Sequence, residues 1–254
     1  MRRIAATAVV AGVSLAAAGC GKKGPLIYPD MLVPAAPAVS AMQSGAAVKL
    51  QVTLPSKDRG GKPVSGVAGV TISRRASGAV DRDVCRSCTT DYMQFRTIYL
   101  EPLPTDVQRF GSLLVLRDND VSIGAIYSYR AVPFTPDRVD GVMSLPVEAR
   151  VDVPLAAPGL TLEAFPTELR LHLSTTFKPG SLVGYNIYRS AGTAPRMNVP
   201  LNREPFKGDE FVDSALERRV TYRYTARAVV MREQGGLAES TESREVEGML
   251  KDDD

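Results

Sequence analysis

The chain has 254 residues, enough for two domains of ordinary size, and a formal net charge of only +3 at neutral pH. A charge this small excludes the broad basic surface of a nucleic-acid-binding protein. The sequence contains three cysteines, a single histidine and no tryptophan. With one histidine, we expect neither a histidine-based catalytic site nor a bound metal ion.

The first nineteen residues have the layout of a secretory signal. Arg2 and Arg3 precede an almost wholly apolar run, Ile4 to Ala18, and small residues then lead into Cys20. The apolar run is shorter than the ~20 residues that cross a bilayer as a helix. We therefore predict that residues 1–19 are a signal peptide and that the mature chain begins at Cys20.

The end of this segment carries a second, more specific signal. Leu15-Ala16-Ala17-Ala18-Gly19-Cys20 resembles the lipobox of bacterial lipoproteins. The resemblance implies that the Cys20 thiol receives a diacylglycerol and that the new amine is acylated, as with palmitate. Three acyl chains would give durable attachment. Gly21 stands where an Asp would retain such a protein in the inner membrane, so the resemblance implies outer-membrane delivery. We expect the protein to face the periplasm, with exposure on the cell surface as the alternative. The alternative is an ordinary signal peptide with an incidental Cys20.

Residues 20–37 are rich in proline and poor in strand-forming residues. We interpret them as an extended tether, which at ~3.1 Å per residue reaches roughly 50 Å from the membrane. Within it, Cys20-Gly-Lys-Lys-Gly-Pro-Leu-Ile-Tyr-Pro29 resembles the start of LptM-like lipoproteins, which assist maturation of the lipopolysaccharide transport machine. Lys22 departs from that pattern, and a common leader without a shared partner is the alternative. The resemblance implies four partner-binding residues: Lys23, Gly24, Pro25 and Leu26.

From residue 38 to residue 153, apolar and polar residues alternate with the period of a strand that buries one face. In Val48–Leu54, for example, valine and leucine alternate with lysine, glutamine and threonine. No convincing long helix is indicated. The predicted strands of this half are 48–54, 69–75, 113–116, 126–132 and 147–153.

After a Pro/Gly boundary at 154–159 the same pattern returns, which indicates an internal duplication. The segment from Gly184 repeats the character of the segment from Gly69 at an offset of 115 residues. Tyr-x-Tyr at 222–224 repeats Tyr-x-Tyr at 127–129 at an offset of 95 residues. The first copy therefore carries an insertion near residues 77–95.

Two segments of the second copy resemble strands of fibronectin type III domains: Gly184-Tyr-x-Ile-Tyr-Arg189, and Tyr-x-Tyr-x-x-x-Ala from Tyr222. The fold class is therefore all-β, with two tandem fibronectin type III-like sandwiches at 38–153 and 160–248 and an acidic tail at 249–254. The resemblance also implies tyrosine corners, in which Tyr127 and Tyr222 bond to the backbone upstream. The tryptophan usual in that family is absent, so leucines must fill its volume.

The insertion contains Cys85 and Cys88, which remain as a pair if Cys20 is lipidated. We predict a structural disulfide in an oxidising compartment, with a redox pair or a free or metal-bound pair as alternatives. His172 lies on the polar side of its strand and is expected to be solvated. No residue is assigned a catalytic role, and no cofactor is expected apart from the lipid on Cys20.

Together these features predict a non-enzymatic, membrane-anchored envelope lipoprotein that acts as a protein-binding or spacer module. One alternative is an accessory role in lipopolysaccharide transport through residues 20–29. A second alternative is a carbohydrate-binding accessory protein. The expected partners are the membrane, through the anchor, and another envelope protein, but no nucleic acid.

Overall fold

The computed structural model describes residues 32–64, 66–78, 91–178, 181–233 and 235–252. The ordered elements within these ranges are β-strands. Among the same residues, no helix is long and apolar enough to cross a membrane. The strands are β1 Ala38–Ser44, β2 Ala47–Thr53, β3 Gly69–Gly78, β4 Met93–Tyr99, β5 Gln108–Phe110, β6 Leu113–Asp118, β7 Ala125–Phe134, β8 Val147–Arg150, β9 Gly159–Ala164, β10 Leu169–Ser174, β11 Leu182–Ala191, β12 Glu210–Asp213, β13 Tyr222–Met231, β14 Leu237–Glu239 and β15 Val246–Gly248.

The first sandwich packs the sheet β4-β3-β7-β8 against β1-β2-β6-β5. Period-2 alternation sets its core, because Val48, Leu50 and Val52 of β2 point inward while Lys49 and Gln51 point the other way. All the predicted strands of this half are present. Sequence alternation missed the less regular β1, β4 and β5.

The second sandwich packs the sheet β12-β10-β9 against β11 and β13, and both β14 and β15 pair with β13. Leu169, Leu171 and Leu173 of β10 lie in its core with Ile187 and Tyr224. The predicted all-β fold of two β-sandwiches is confirmed.

The two sandwiches share one sheet. β14 belongs to the second sandwich, yet it also pairs in parallel with β1, with Gln43 opposite Ala238 and Ser44 opposite Glu239. The path β11-β13-β14-β1-β2-β6-β5 therefore runs through both units without a break. A backbone bond from Gly45 N to Glu239 O, 3.1 Å, extends the connection.

This shared sheet is strongly curved. β2 and β11 are four strand intervals apart, about 19 Å in a flat sheet. Lys49 Nζ on β2 nevertheless lies 3.2 Å from Tyr188 Oη on β11. The two ends of the path also meet, because Gln108 of β5 bonds Arg196 O and Asn198 N, both at 2.6 Å, in the segment after β11.

The chain enters the first sandwich at the end opposite to the contact between β1 and β14. Pro34 bridges Asp58, and Ala35 N donates to Lys57 O at 3.0 Å, so residues that the sequence placed in the tether are bonded to the sandwich. β1 spans seven residues, about 23 Å, and meets β14 at its last two residues, Gln43 and Ser44. The second sandwich is thus attached at the far end of β1.

Candidate functional site

Every residue assigned a site in the sequence analysis lies outside the residues that the structure describes. Their roles in lipidation, partner binding and disulfide formation therefore stay predictions. They are Cys20, Lys23, Gly24, Pro25, Leu26, Cys85 and Cys88.

His172 lies on the outer face of β10, between two glutamates. Its ring nitrogens are 3.8 Å from Glu163 and 3.6 Å from Glu210, and 44% of its side chain is exposed. The expectation of a solvated histidine is confirmed. Within the described ranges, no group of three or more His, Cys, Asp or Glu residues is placed to hold a metal ion.

Both predicted tyrosine corners are present. Tyr127 Oη accepts a hydrogen bond from Ser122 N at 2.9 Å. Tyr222 Oη accepts one from Glu217 N at 2.8 Å, again five residues upstream. These tyrosines are buried and bonded to the backbone, so they maintain the fold and do not form a binding platform.

The second tyrosine of each pair forms a contact that sequence reasoning missed. Tyr129 Oη donates to Asp118 Oδ2 at 2.9 Å, and Arg74 Nη1 donates to the same oxygen at 2.8 Å. Asp118 is 1% exposed. Burial and the neighbouring carboxylate raise the pKa of Tyr129, so its hydroxyl stays a donor.

The second sandwich repeats this cluster. Tyr224 Oη donates to Asp213 Oδ2 at 2.8 Å, and Arg189 Nη1 donates to that oxygen at 2.8 Å. The same causes, burial first, raise the pKa of Tyr224. The sequence did contain a signal for this repetition. The two aspartates are 95 residues apart, as are the two tyrosines, and the two arginines are 115 residues apart.

The most distinctive polar site lies at the junction of the two sandwiches. Glu239 Oε1 accepts from Lys49 Nζ at 2.5 Å, Asn186 Nδ2 at 2.5 Å and Tyr188 Oη at 2.7 Å. Lys49 comes from the first sandwich and the other three from the second. We call these four residues the junction cluster. Lys49 is 5% exposed and Glu239 is 1% exposed.

The electrostatics of the junction cluster suit a structural role. Burial alone would raise the pKa of Glu239, but the charge and hydrogen bond of Lys49 outweigh it and hold the pKa at about 2. Burial lowers the pKa of Lys49, and Glu239 opposes this effect. Burial, followed by the charge of Glu239, raises the pKa of Tyr188. Glu239 therefore stays ionised at neutral pH and is not poised for proton transfer.

A second polar contact fixes the connection between the sandwiches. Gln43 of β1 donates to Asp152 O at 2.8 Å and accepts from Asp152 N at 2.9 Å. Arg232, in the loop between β13 and β14, contacts both the Asp152 carboxylate and the Gln43 side chain. Asp152, which follows β8, is thus bonded to side chains of both sandwiches.

Beside this contact lies an open groove of about 330 Å³. Its apolar lining includes Val153, which is 70% exposed, Leu155 and Met231. Arg232 and Glu233 supply charge at its edge. The lining offers apolar and charged surface to a partner, and the hydroxyl of its one serine, Ser181, donates to Lys178 O at 2.8 Å.

No protein-family model and no curated protein matches this chain. Among solved structures, a similar one is described as the crystal structure of chicken CNTN1 FN1-FN3 domains. The sequences are 14% identical, the match covers 86% of this chain and 67% of that chain, and the TM-score is 0.32. A TM-score this low carries no argument, so the fold assignment rests on the sheet order and the two cores.

Sequence reasoning missed the junction cluster because its members look like solvated positions. Lys49 alternates with buried valines and leucines, which is the pattern of a residue that faces water. The outer face of β2 at Lys49 is instead covered by the second sandwich. Chemically, the arrangement holds two units in one orientation and leaves their outer surfaces available for contact.

Proposed function

We propose that this protein is a non-enzymatic, lipid-anchored envelope protein that holds two sandwiches as one rigid body and presents their surface to another envelope protein. The proposed location is the outer membrane, facing the periplasm, with Cys20 as the lipidated residue. The observation that supports the proposal is the shared sheet through β1 and β14, with the junction cluster buried against it.

A shared sheet favours a rigid spacer over two units on a flexible linker. A mobile pair would expose Lys49 and Glu239 to water in many orientations, whereas here both are buried and bonded across the junction. Breaking a buried pair by removing one partner costs about 3–5 kcal/mol, because the remaining charge is left unpaired. The relative orientation of the sandwiches is therefore strongly favoured.

The direction of the chain suits presentation away from a membrane. The chain enters at Pro34, and the second sandwich is attached at the opposite end of β1. An anchor on Cys20 would therefore lie on the entry side, with the second sandwich displayed on the far side. A protein built in this way provides a surface at a fixed height above the leaflet.

The experiment is cross-linking of the lipidated protein in native membranes, followed by affinity purification and mass spectrometry. We expect a reproducible envelope protein to be captured. Glu239→Ala, which loosens the junction, should reduce that capture severalfold, whereas the surface variant His172→Ala should not. Recovery of no reproducible envelope partner by the parent protein would contradict the binding role.

A narrower proposal concerns the LptM-like segment. The matching residues of Cys20–Pro29 favour a role in assembly of the lipopolysaccharide transport machine. Simultaneous alanine replacement of Lys23, Gly24 and Pro25 should then raise outer-membrane permeability to a large antibiotic while leaving the amount of anchored protein unchanged. Unchanged permeability would exclude this role but not the spacer role.

The carbohydrate-binding alternative has less support. Sugar-binding surfaces stack pyranose rings on exposed aromatic faces. The six tyrosines that the sequence highlighted are each no more than 5% exposed. They are Tyr127, Tyr129, Tyr185, Tyr188, Tyr222 and Tyr224.

A further inference from the structure

The end of the first sandwich at which the chain enters carries exposed cations. We call it the entry end: residues 32–36 with the loops 55–64 and 135–142. The loop between β2 and β3 exposes Lys57, Arg59 and Lys62. The loop 135–142 exposes Asp137, Arg138 and Asp140, so the net positive charge of this end comes from the loop 55–64. Leu32 is 55% exposed and Val139 is 48% exposed.

Local hydrogen bonds hold this loop in shape. Asp58 N donates to Lys62 O at 2.7 Å, and Lys62 N donates to Asp58 Oδ1 at 2.8 Å. Asp58 is only 7% exposed, so its carboxylate is used inside the turn while the flanking lysines face outward. The incoming chain packs on this turn, since Arg59 N donates to Val33 O at 2.9 Å.

The opposite end of the molecule carries charges of both signs. β14 runs parallel to β1, away from the entry end. β13 is antiparallel to β14, so it runs toward the entry end and its first residues lie far from that end. β15 pairs with the start of β13, and Lys251 N then bonds Phe165 O at 3.1 Å. Exposed residues near that end include Arg218, Arg219, Lys251 and Asp252. The entry end is therefore distinguished by the three exposed cations of one loop, not by a separation of charge along the protein.

We propose that the entry end docks on the anionic phospholipid leaflet that carries the anchor. This inference rests on the proposed lipid anchor at Cys20. The overall charge is small, but charges beyond a Debye length of about 8 Å are screened, so the local cations of the docked end decide the interaction. Each Lys or Arg near an anionic leaflet strengthens binding by about fivefold.

The short length of chain between Cys20 and the described residues supports the anionic leaflet as the docking partner. Residues 21–31 separate Cys20 from the entry end and would reach about 37 Å at the ~3.1 Å per residue of a polyproline II segment. A short connection keeps the cationic loop at a high effective concentration near the leaflet. Weak individual contacts are then sufficient for docking.

The first experiment is lysine footprinting of the lipidated protein, reconstituted in phosphatidylcholine vesicles with or without phosphatidylglycerol. Labelling of Lys57 and Lys62, quantified by mass spectrometry, should fall about threefold or more when phosphatidylglycerol is present. High salt should restore it. Lys178 and Lys207, exposed on the second sandwich, are internal controls whose labelling should not change.

The second experiment removes the anchor. The chain from residue 20 with Cys20→Ser is sedimented with phosphatidylglycerol vesicles. Adding Lys57→Glu and Lys62→Glu should weaken binding at least about tenfold. Adding Lys178→Glu and Lys207→Glu makes the same change in net charge, but it should leave binding nearly unchanged.

The outcomes separate the two proposals. If the wild-type protein acquires no lipid in cells, both the anchor and the docking of the entry end are overturned. If it is lipidated and stays in the vesicles, but Lys57 and Lys62 are labelled equally with and without phosphatidylglycerol, only the docking is overturned. Protection by lipopolysaccharide but not by phosphatidylglycerol would overturn the assignment of a phospholipid leaflet.

Discussion

Asp118 and Asp213 occupy equivalent places in the two sandwiches, each between a tyrosine hydroxyl and an arginine guanidinium. A buried carboxylate needs such donors, since burial of an uncompensated charge is unfavourable. The repetition of the whole cluster indicates that it was part of the ancestral unit before duplication. Its role is to connect the strand before each tyrosine corner to the strand that follows it.

Replacing the tyrosine tests this role. Tyr224→Phe removes one donor from a buried carboxylate and should lower the free energy of unfolding by about 1–3 kcal/mol. Tyr129→Phe should have a similar effect. Urea denaturation followed by circular dichroism provides the measurement. Tyr99→Phe, at a ring that is 38% exposed, is the matched control and should change stability little.

The lowered pKa of Glu239 gives a pH dependence with a definite sign. The pKa falls from 4.5 to about 2 on folding, so the stabilising contribution is complete above about 4.5 and is lost as the pH falls toward 2. We expect the free energy of unfolding to decrease across this window. In Glu239→Gln that part of the decrease should disappear.

The same variant should be less stable at neutral pH. Glu239→Gln leaves Lys49 buried without its counter-charge, which costs about 3–5 kcal/mol. Glu210→Gln, on an exposed strand, is the control and should retain both the stability and the acid dependence of the parent. An unchanged acid dependence in Glu239→Gln would contradict the assigned pKa.

At the scale of strands, the repeated glycine at the start of β3 and near the start of β11 has a physical reason. A Cβ on Gly69 would lie 2.3 Å from Ile98 O, and a Cβ on Gly184 would lie 2.5 Å from Phe206 O. Gly184 also has a φ of +156° at an irregularity in the β11–β13 register. In each copy, a neighbouring backbone segment needs the space that a side chain would occupy.

Alanine at these glycines should therefore destabilise the protein. We expect Gly69→Ala and Gly184→Ala to lower the free energy of unfolding by about 2 kcal/mol or more, because backbone atoms cannot move aside cheaply. Thermal denaturation at one fixed pH measures the effect. Thr161→Ala, on the exposed face of β9, should stay close to the parent. A wild-type-like melting temperature for both glycine variants would contradict the explanation.

Much of the strand content could be predicted from sequence, and the reason is visible in β2 and β10. Each has one face in a core, so leucine and valine recur at every second residue. Short strands such as β14 and β15, with three residues each, are too brief for any period to appear. The tyrosine corners were predictable because the Tyr-x-Tyr segments resemble a strand of fibronectin type III domains.

The junction could not be predicted in the same way. Gln43, Lys49 and Glu239 are polar, and only the approach of a strand nearly two hundred residues away buries them. Alternation specifies which face of a strand is polar, but it does not specify whether that face meets water or another domain. Charge partners this distant in sequence leave no local pattern.

At the scale of the whole molecule, the shared sheet predicts cooperative unfolding. Differential scanning calorimetry should show one transition, with a calorimetric enthalpy close to the van't Hoff enthalpy. Lys49→Ala combined with Glu239→Ala should weaken the coupling and separate the trace into two transitions. Arg96→Ala, which breaks an ion pair whose Asp106 partner is 62% exposed, should keep one. Two transitions in the parent would show that the units unfold independently.

The pairing of β1 with β14 also has a consequence for biogenesis. In the secretion that we propose, β1 is the first of the described strands to emerge, and residues 237–239 are among the last. Until residues 237–239 are present, the amide and carbonyl groups at the end of β1 that they cover are unpaired and can pair with strands of other chains. A polypeptide halted before residue 237 would keep that edge unpaired, so quality control by chaperones and proteases should act on unfinished chains rather than on completed ones.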